Sequence, residues 1–343
     1  MTAAPESHVV HTLVAQAGAK RDSNQAPPRI PSTVPGSIRS FEFESNRPPP
    51  EPGQRVGRYL AEEVLGRGGM GLVLRARDDL LQREVAIKVI LPGYLSSDPT
   101  AGLRFLREAE IVAHLRHPHI ISVLDAGLDA GVAFLVFGYV AGPSFAELRN
   151  QGRIGLEQAV DMLLPIISAA EYAHRLGVVH GDLKPTNLIL GRDYAGRPHP
   201  WVLDFGVSFF SGQDPGLDPT RGRITGTPGY LAPEWIDAGS ADGRADCFSL
   251  GCVLYELLAG RGPFADCSRL SQAVTAAKER DYRPLGQTCC VPPGVVELID
   301  WALAPEPDRR TPSARALGAA LLLYASEGLR VRYQDEFSTQ LPD

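Results

Sequence analysis

The spacing of apolar and polar residues changes twice along this chain. Residues 1–54 show neither a helical nor a strand period. From about Tyr59 to Gly142, short apolar runs bounded by turn residues predict β-strands, and after Gly142 longer runs with helical spacing predict helices. The chain is therefore predicted to be α+β, with a mostly β part followed by a mostly helical part.

In the β part, apolar runs predict strands over residues 64–66, 73–76, 84–90, 120–124 and 133–137. Between these runs, one helix is predicted over 105–115, because four apolar residues share one helical face: Phe105, Ala109, Val112 and Leu115.

In the helical part, the spacing predicts helices over residues 156–176, 246–260, 270–281, 295–304 and 314–325. Two short strands, predicted over 188–190 and 201–203, flank the most polar motifs of the chain.

The N-terminal segment is rich in proline, above all between residues 27 and 52. Because proline fixes φ and lacks an N–H donor, residues 1–54 are predicted to form a disordered tail. The serines and threonines of this tail leave open a second possibility, that it is a regulatory segment whose hydroxyl groups are phosphorylated. The predicted organisation continues with a folded domain over 55–325, divided into lobes 55–140 and 141–325, and a short C-terminal tail over 326–343.

The composition narrows the class of protein. A net charge of −6 and a pI near 5.8 give no overall attraction to nucleic acid or to anionic membranes. The five cysteines lack metal-ligand spacing and are typical of a reducing compartment. No stretch reaches the roughly 18–20 apolar residues of a membrane span, and no signal peptide is recognised. We therefore expect a cytoplasmic protein with no membrane span and no nucleic-acid partner.

Lysine is rare in this chain. Of the 34 basic residues, only Lys20, Lys88, Lys184 and Lys278 are lysine. Two of them stand in the motifs Val-Ala-Ile-Lys and His-Gly-Asp-Leu-Lys-Pro-Thr-Asn. A compact ammonium and a planar guanidinium are not interchangeable in recognition. Lysine at these two positions therefore indicates phosphate chemistry.

A glycine-rich turn lies between the first two predicted strands and reads Gly66-Arg67-Gly68-Gly69-Met70-Gly71-Leu72-Val73. Glycines let backbone N–H groups approach phosphates closely. Taken alone, the run could equally form an ordinary hairpin turn. It is not a P-loop or a dinucleotide fingerprint, because no helix opens after it. Its glycine spacing is typical of a hairpin that covers nucleotide phosphates.

Lys88 lies among apolar residues of a later strand, so its ammonium needs a partner if it is buried. Glu108 is the candidate partner, because it shares the inward side of the predicted helix with Phe105 and Val112. Such a pair would aim the ammonium at the α- and β-phosphates of a nucleotide.

The strongest motif combines Asp182, Lys184 and Asn187 in one loop with Asp204 in a following Asp-Phe-Gly run. Oxygen ligands and a lysine at these spacings suit magnesium-assisted phosphoryl transfer. Asp182 would accept the proton of the attacking hydroxyl, and Lys184 would offset charge on the γ-phosphoryl group. Asn187 and Asp204 would each hold Mg²⁺.

Together these motifs resemble the protein kinase family over about residues 59–325. The Gly-Gly-Met-Gly turn and the segment 226–234, Gly-Thr-Pro-Gly-Tyr-Leu-Ala-Pro-Glu, are most similar to the bacterial eukaryotic-like serine/threonine kinases. The resemblance implies a bilobal protein-kinase-like fold with a mostly β N-lobe, one main helix in that lobe, and a mostly helical C-lobe. It also implies a signalling enzyme that uses ATP and Mg²⁺ to phosphorylate serine and threonine in proteins.

The same resemblance assigns further roles. The residues expected to bind ATP are the glycine-rich turn 66–73 with Ala86, Lys88, Glu108, Tyr139, Val140, Ile189 and Asp204. Among these, Val73, Ala86 and Ile189 would contact the adenine, and the backbone near Tyr139 and Val140 would bind its edge. Outside the ATP site, Asp246 would brace the catalytic loop and Arg310 would pair with Glu234.

One position departs from the family pattern. Most such kinases have arginine between the histidine and aspartate of the loop, where this chain has Gly181. That arginine receives the phosphate of an activated loop. The domain is therefore expected to be constitutively competent, or to be controlled by the N-terminal tail, by a homodimer formed through the N-lobe, or by another partner.

The His-Gly-Asp sequence also leaves two alternatives open. A small-molecule phosphotransferase carries the same tripeptide, but Lys184 and the Ala-Pro-Glu segment weigh against it. A catalytically weak pseudokinase that acts as a scaffold is the second alternative. The intact set of Lys88, Asp182, Asn187 and Asp204 weighs against that one.

Overall fold

A computed structural model describes residues 48–67, 71–90, 109–110, 112–129, 132–205, 227–237 and 242–338. The chain forms two compact units, one within Arg29–Ala141 and one within Gly142–Asp343. The predicted N-terminal tail lies outside the described residues up to position 47.

The first unit is built on an antiparallel sheet. Its described strands are β1 (Arg55–Val56), β2 (Tyr59–Arg67), β3 (Gly71–Asp78), β4 (Arg83–Ile90), β5 (Val123–Asp129) and β6 (Val132–Gly138). They are arranged in the order β1-β2-β3-β4-β6-β5. Four of the five predicted strands therefore lie within β2, β3, β4 and β6.

One face of this sheet forms the core of the first unit. Leu74, Ile87 and Val136 stand in register on β3, β4 and β6, and all three are fully buried. Burial of each such side chain stabilises the fold by roughly 1.5–3 kcal/mol relative to exposure. The β-branched and aliphatic residues at alternate positions are therefore the reason that these segments form strands.

The fifth predicted strand, over 120–124, is displaced in the structure. β5 covers Val123–Asp129, whereas Ile120 is buried in a turn in which its N–H donates to the carbonyl of His117 at 3.1 Å. A short apolar run alone does not distinguish a strand from a buried turn. β5 is an edge strand of the sheet, where a charged residue such as Asp125 is tolerated.

The predicted helix over 105–115 is described in part. Residues 109–110 and 112–114 are helical. Ala109, Val112 and Leu115 are buried, as their shared helical face predicts. Residues 105–108 lie outside the described part of the chain.

The second unit is mainly helical. Its described helices are α1 (Phe145–Asn150), α2 (Leu156–Arg175), α3 (Glu234–Asp237), α4 (Gly243–Ala259), α5 (Leu270–Glu279), α6 (Pro293–Ala302), α7 (Ala314–Leu321) and α8 (Glu327–Phe337). Two antiparallel strands, β7 (Leu188–Arg192) and β8 (Pro198–Val202), pair with each other. The five predicted helices correspond to α2, α4, α5, α6 and α7, with their ends shifted by a few residues.

Helix α4 lies at the centre of this unit. All of its residues from Ala245 to Ala259 are buried, which is expected of a helix that is largely apolar on every side. The Asp242 side chain caps the helix by accepting the N–H of Arg244, and Gly260 ends it with a φ of 81°. Helix α2 packs against both α4 and α7.

The predicted C-terminal tail over 326–343 contains a helix instead. Within α8, Tyr333 and Phe337 are buried. The Phe337 ring packs so closely on α7 that a Cβ added at Gly318 would lie 2.6 Å from it. The sequence signal for this helix is weak because only two of its positions are buried. The remaining domain boundaries stay predictions.

Among the described residues, no helix combines the length and the apolar character that a bilayer crossing requires.

We predict that Phe337→Ala lowers the free energy of unfolding by about 3–5 kcal/mol, the usual cost of truncating a buried phenylalanine. Val331 on the same helix is 62% exposed, and Val331→Ala is expected to change stability by less than about 0.5 kcal/mol. Urea unfolding of both variants measures this difference. Equal effects of the two substitutions would show that α8 does not contribute to the folded domain.

Candidate active site

The polar loop, residues 180–187, brings the three predicted catalytic side chains into contact. Lys184 Nζ donates to Asp182 Oδ2 at 2.6 Å. Asn187 Nδ2 donates to the backbone carbonyl of Asp182 at 2.8 Å and to its Oδ2 at 3.1 Å. The 3₁₀ turn Pro185–Asn187 then carries the chain into β7. The three side chains therefore form one hydrogen-bonded group.

Thr227 completes this group from another part of the chain. Its Oγ1 lies 2.6 Å from Lys184 Nζ and 3.3 Å from Asp182 Oδ1. Among the described residues, Asp182 Oδ2 thus has two side-chain donors, whereas Asp182 Oδ1 has one long contact. The side chains of Asp182 and Lys184 are 29% and 20% exposed, so a solute can reach them. Oδ1 is the oxygen with more remaining capacity to accept a proton.

The backbone of the polar loop is held by a buried carboxylate on α4. Asp246 is fully buried and accepts the N–H groups of His180 and Gly181, both at 2.8 Å. His174 Nε2, at the end of α2, lies 2.7 Å from the same carboxylate. The expected bracing role of Asp246 is therefore confirmed.

Burial by itself raises the pKa of Asp246, since it disfavours the charged form. The hydrogen bond and charge of His174, together with the Gly181 N–H, more than offset this and lower the pKa of Asp246 below its ordinary value of 3.8. Asp246 is therefore ionised at neutral pH.

His180 links the polar loop to the segment after β8. Its Nε2 lies 3.0 Å from the carbonyl oxygen of Leu203, so this nitrogen is the donor. Its Nδ1 accepts the N–H of Asp182 at 3.2 Å. The ring also packs on Phe205, with centroids 4.7 Å apart.

Gly181 has a φ of 74°, in the left-handed region. This backbone conformation costs a residue with a Cβ about 1–2 kcal/mol, and glycine avoids that cost. Glycine therefore lets the loop present its N–H to Asp246 without strain, although it offers no side chain to receive a phosphate.

The polar loop and the Asp204 segment are joined by the Leu203 N–H, which donates to the Asn187 carbonyl at 2.9 Å. Asp204 itself has a φ of 53°, which aspartate tolerates better than most residues. The amide nitrogen of Asn187 points at Asp182. The Oδ1 atom of Asn187 is therefore left to bind a cation.

An aspartate oxygen and an amide oxygen are ligands that Mg²⁺ accepts, so the donor set of Asn187 and Asp204 fits this ion. Within the described ranges, no cluster of three or more His, Cys, Asp or Glu could hold a metal ion. Magnesium bound by these two residues would therefore need phosphate or water oxygens as further ligands.

In the first unit, the sheet face opposite the core carries three predicted ATP-binding residues. The register places Val73 beside Lys88, and Ala86 follows on the same face because side chains alternate along a strand. Lys88 is only 9% exposed. At Gly71, an added Cβ would lie 2.3 Å from the Val89 carbonyl oxygen, so only glycine fits there.

The remaining predicted residues differ in how they are placed. Leu72 lies in the core of the first unit, so its side chain faces away from Lys88. Tyr139 packs near Arg75, whose guanidinium carbon is 6.0 Å from the ring centroid, and Val140 follows it. Ile189 lies on β7 and bridges to Ser144. The residues outside the described part of the chain are Gly68, Gly69, Met70 and Glu108.

The predicted ion pair of Glu234 and Arg310 joins α3 to the segment before α7. Arg310 donates to both carboxylate oxygens of Glu234, at 2.6 and 3.0 Å, and to three backbone carbonyls. Arg310 is 2% exposed, so its charge needs all of these acceptors. The predicted pairing is confirmed.

The sequence analysis missed one contributor, His174. This residue contacts Asp246, which lies 72 positions further along the chain. Only the placement of His174 as a polar residue in the last turn of an apolar helix could have indicated it.

Comparisons with protein families and with known proteins all match this chain to protein kinases. A family model described as "Protein kinase domain" matches residues 59–321. The chain is 38% identical over 270 residues to "Probable serine/threonine-protein kinase SCO3848" of Streptomyces coelicolor. It is 36% identical over 278 residues to serine/threonine-protein kinase PknJ of Mycobacterium tuberculosis. These matches cover 77% and 79% of this chain, but 39% and 46% of the relatives. The chain thus spans less than half the length of these relatives.

Among solved structures, the kinase domain of Mycobacterium tuberculosis PknI matches with a TM-score of 0.60 and 25% identity. The match covers 80% of this chain and 99% of that chain. The fold class predicted from the sequence is confirmed.

We predict that Asp246→Asn lowers the free energy of unfolding at pH 7 by about 3–5 kcal/mol, because it removes the charged partner of a buried group of donors. A carboxylate with a lowered native pKa stabilises the fold above its ordinary pKa, and this stabilisation is lost as the pH falls through the native pKa. The difference between wild type and variant should therefore shrink below about pH 4.

Urea unfolding between pH 3 and 8 measures this effect. Asp335→Asn, at an exposed position of α8, is the matched control and should follow wild type throughout. A difference between wild type and Asp246→Asn that stays constant down to pH 3 would contradict the prediction.

Proposed function

The chain belongs to the protein kinase family, and we propose that it is a serine/threonine protein kinase that transfers the γ-phosphoryl group of ATP to protein hydroxyls. The observation that carries this proposal is the contact of Asp182 with Lys184, Asn187 and Thr227. A base, a cation and an amide ligand within hydrogen-bond distance are the side chains that phosphoryl transfer requires.

In this proposal Asp182 is the base. Its Oδ2 is occupied by Lys184 and Asn187, at 2.6 and 3.1 Å. A substrate hydroxyl would approach Oδ1, where the only described competitor is Thr227 at 3.3 Å. Hydrogen bonding of the hydroxyl to Oδ1 orients its oxygen for attack, and the proton then passes to the carboxylate.

The two lysines have different positions and different roles. Lys184 bridges Asp182 and Thr227, so its ammonium is held where it can offset charge on the phosphoryl group in transit. Lys88, on the sheet face of the first unit, would bind the α- and β-phosphates. Glu108 remains the proposed partner of Lys88, and the glycine-rich turn the proposed phosphate cover.

Members of this family use ATP with a divalent metal. We propose Mg²⁺ for this chain, held by Asn187 Oδ1 and the Asp204 carboxylate. When bound, Mg²⁺ supplies neutralisation of the charge on phosphate oxygens. Val73, Ala86 and Ile189 remain the proposed adenine contacts, with Tyr139 and Val140 at its edge.

A protein rather than a small molecule is the proposed acceptor. The Ala-Pro-Glu segment, which is typical of protein kinases, is anchored here by the bidentate pair of Glu234 and buried Arg310. The rigid segment that results could support an extended peptide. Five free cysteines support a reducing, cytoplasmic location for this domain. Control by the tail, a homodimer through the N-lobe or another partner remains part of the proposal.

Incubation with γ-labelled ATP and Mg²⁺ tests the proposed activity. Wild type is expected to label itself or a basic protein substrate on serine or threonine. In Lys88→Met and Asp182→Asn the rate of phosphoryl transfer should fall by at least about 100-fold, which is the usual contribution of a positioned catalytic group. Acid hydrolysis identifies the phosphorylated residue.

Matched substitutions at exposed positions serve as controls for that assay. Lys278→Met and Asp266→Asn should keep wild-type transfer, since Lys278 lies on the surface of α5 and the Asp266 side chain is 91% exposed. Label on small hydroxylated acceptors only would support the small-molecule phosphotransferase. ATP binding without transfer to any acceptor would support the pseudokinase.

Thr227 offers a second test of the same site. Thr227→Ala removes the hydroxyl that bridges Lys184 and Asp182, and kcat is expected to fall by about tenfold or more. Thr227→Ser keeps the hydroxyl and should retain most of the activity. Steady-state kinetics with a peptide substrate measures both, and equal activity of Thr227→Ala and wild type would remove Thr227 from the proposed mechanism.

A further inference from the structure

The two-stranded sheet of β7 and β8 links the two proposed Mg²⁺ ligands. Asn187 immediately precedes β7, and Asp204 follows β8 after one intervening residue, Leu203. The Leu203 N–H donates to the Asn187 carbonyl at 2.9 Å, so the two chain segments remain hydrogen-bonded up to these ligands. A nucleotide whose phosphates share Mg²⁺ with Asn187 and Asp204 would therefore have its phosphates at this end of the sheet and its base further along the strands.

One face of the β7–β8 sheet is apolar and only partly covered. The register pairs Ile189 with Trp201, and directly paired residues of antiparallel strands project to the same face. Both residues are half-buried, whereas Leu188 and Val202, which project to the opposite face, are buried. The half-covered face therefore carries Ile189, the proposed adenine contact, directly beside Trp201.

Trp201 is held on this face by its ring and not by its polar atom. The indole packs on the His199 imidazole, with ring centroids 4.6 Å apart and ring planes inclined by 47°. The indole N–H is buried and has no hydrogen-bond acceptor among the described residues, although a buried tryptophan N–H usually has one. Because an unpaired buried donor is unfavourable, packing accounts for the position of this ring.

The backbone of Ile189 is fixed on both sides. On one side β7 pairs with β8, and on the other side Ile189 forms a bridge with Ser144. The next residue, Leu190, donates its N–H to the Pro143 carbonyl at 2.9 Å. With the backbone held in this way, the freedom that remains to Ile189 lies in its side-chain rotamers. A smaller residue in place of Trp201 would leave a space into which the Ile189 side chain can turn.

We propose that Trp201 is a positioning residue for nucleotide binding, because its indole holds the Ile189 side chain against the adenine. The inference rests on the proposed kinase function, in which Ile189 contacts the base. Trp201 acts through Ile189 and does not touch the reacting atoms, which lie at the phosphate end of the sheet. Its contribution is therefore to the affinity for ATP and not to the rate of the chemical step.

Trp201→Ala tests this role. The Kd and the KM for ATP are expected to rise by about tenfold while kcat stays within about twofold of wild type, because the loss affects the bound nucleotide and the transition state equally. Trp201→Phe keeps an aromatic ring and removes the unpaired N–H, so its Kd should lie within about twofold of wild type. Tyr194→Ala is the matched control, since Tyr194 lies on the turn between the same strands and is fully exposed.

A ligand that lacks a base separates positioning from a general loss of structure. Inorganic tripolyphosphate with Mg²⁺ occupies only the phosphate end of the site, so its Kd should be the same in wild type and in Trp201→Ala. Isothermal titration calorimetry measures the Kd of both ligands. Equal weakening of tripolyphosphate and ATP binding in Trp201→Ala would overturn the proposal, because it would indicate a disturbed polar loop.

A double-mutant cycle tests whether Trp201 acts through Ile189. If it does, Ile189→Ala combined with Trp201→Ala should bind ATP with the Kd of Ile189→Ala alone. Multiplicative losses of affinity in the double variant would overturn the proposal, as would an unchanged Kd in Trp201→Ala.

Failure of this inference and failure of the proposed function give different results. The titrations need no phosphoryl transfer, so weaker ATP binding by Trp201→Ala supports the positioning role even if wild type transfers no phosphate. An active wild type with unchanged Kd and KM in Trp201→Ala would overturn the inference and leave the proposed function intact. An absence of ATP binding by wild type would overturn both.

Discussion

One buried carboxylate, that of Asp246, holds the polar loop in the shape on which the site depends. Two backbone N–H groups of the loop and the Nε2 atom of His174 lie 2.7–2.8 Å from its oxygens. A buried carboxylate is costly unless it receives such donors, and buried N–H groups need acceptors in the same way. Each side therefore stabilises the other. Asp182, Lys184 and Asn187 extend from a backbone that this mutual dependence keeps in place.

The same principle recurs around α4. Glu256 on this helix accepts a hydrogen bond from the Tyr230 hydroxyl. Arg310, which packs against Phe248 of the same helix, donates to the Glu234 carboxylate. Each buried charge contacts a segment that is distant in sequence. Because an unpaired buried charge is strongly unfavourable, each pair favours one arrangement of its segment over the alternatives. We interpret α4 as the element to which the polar loop and the segment 227–237 are both attached.

The two faces of the sheet in the first unit have different roles. Its core face is packed with aliphatic side chains, and its other face presents Lys88 with Val73 and Ala86. Lys88 is only 9% exposed in its strand, and its side chain carries a compact charge on a slim stem. Gly71 lets β3 approach β4, since a Cβ there would meet the Val89 carbonyl.

We could predict from the sequence alone the two-part architecture, five helices of the second unit and the cluster of Asp182, Lys184 and Asn187. The hydrophobic period and the short polar motifs involve residues that are close together in the chain, so they can be recognised in the sequence. The folded structure was needed to show that His174 contacts Asp246, that the Tyr230 hydroxyl binds Glu256, and that residues 327–337 form a packed helix. These features rest on pairs up to 72 positions apart or on two buried side chains in a polar segment. Such contacts leave no periodic trace, because their energy comes from burial and charge pairing between segments that meet only in the folded chain.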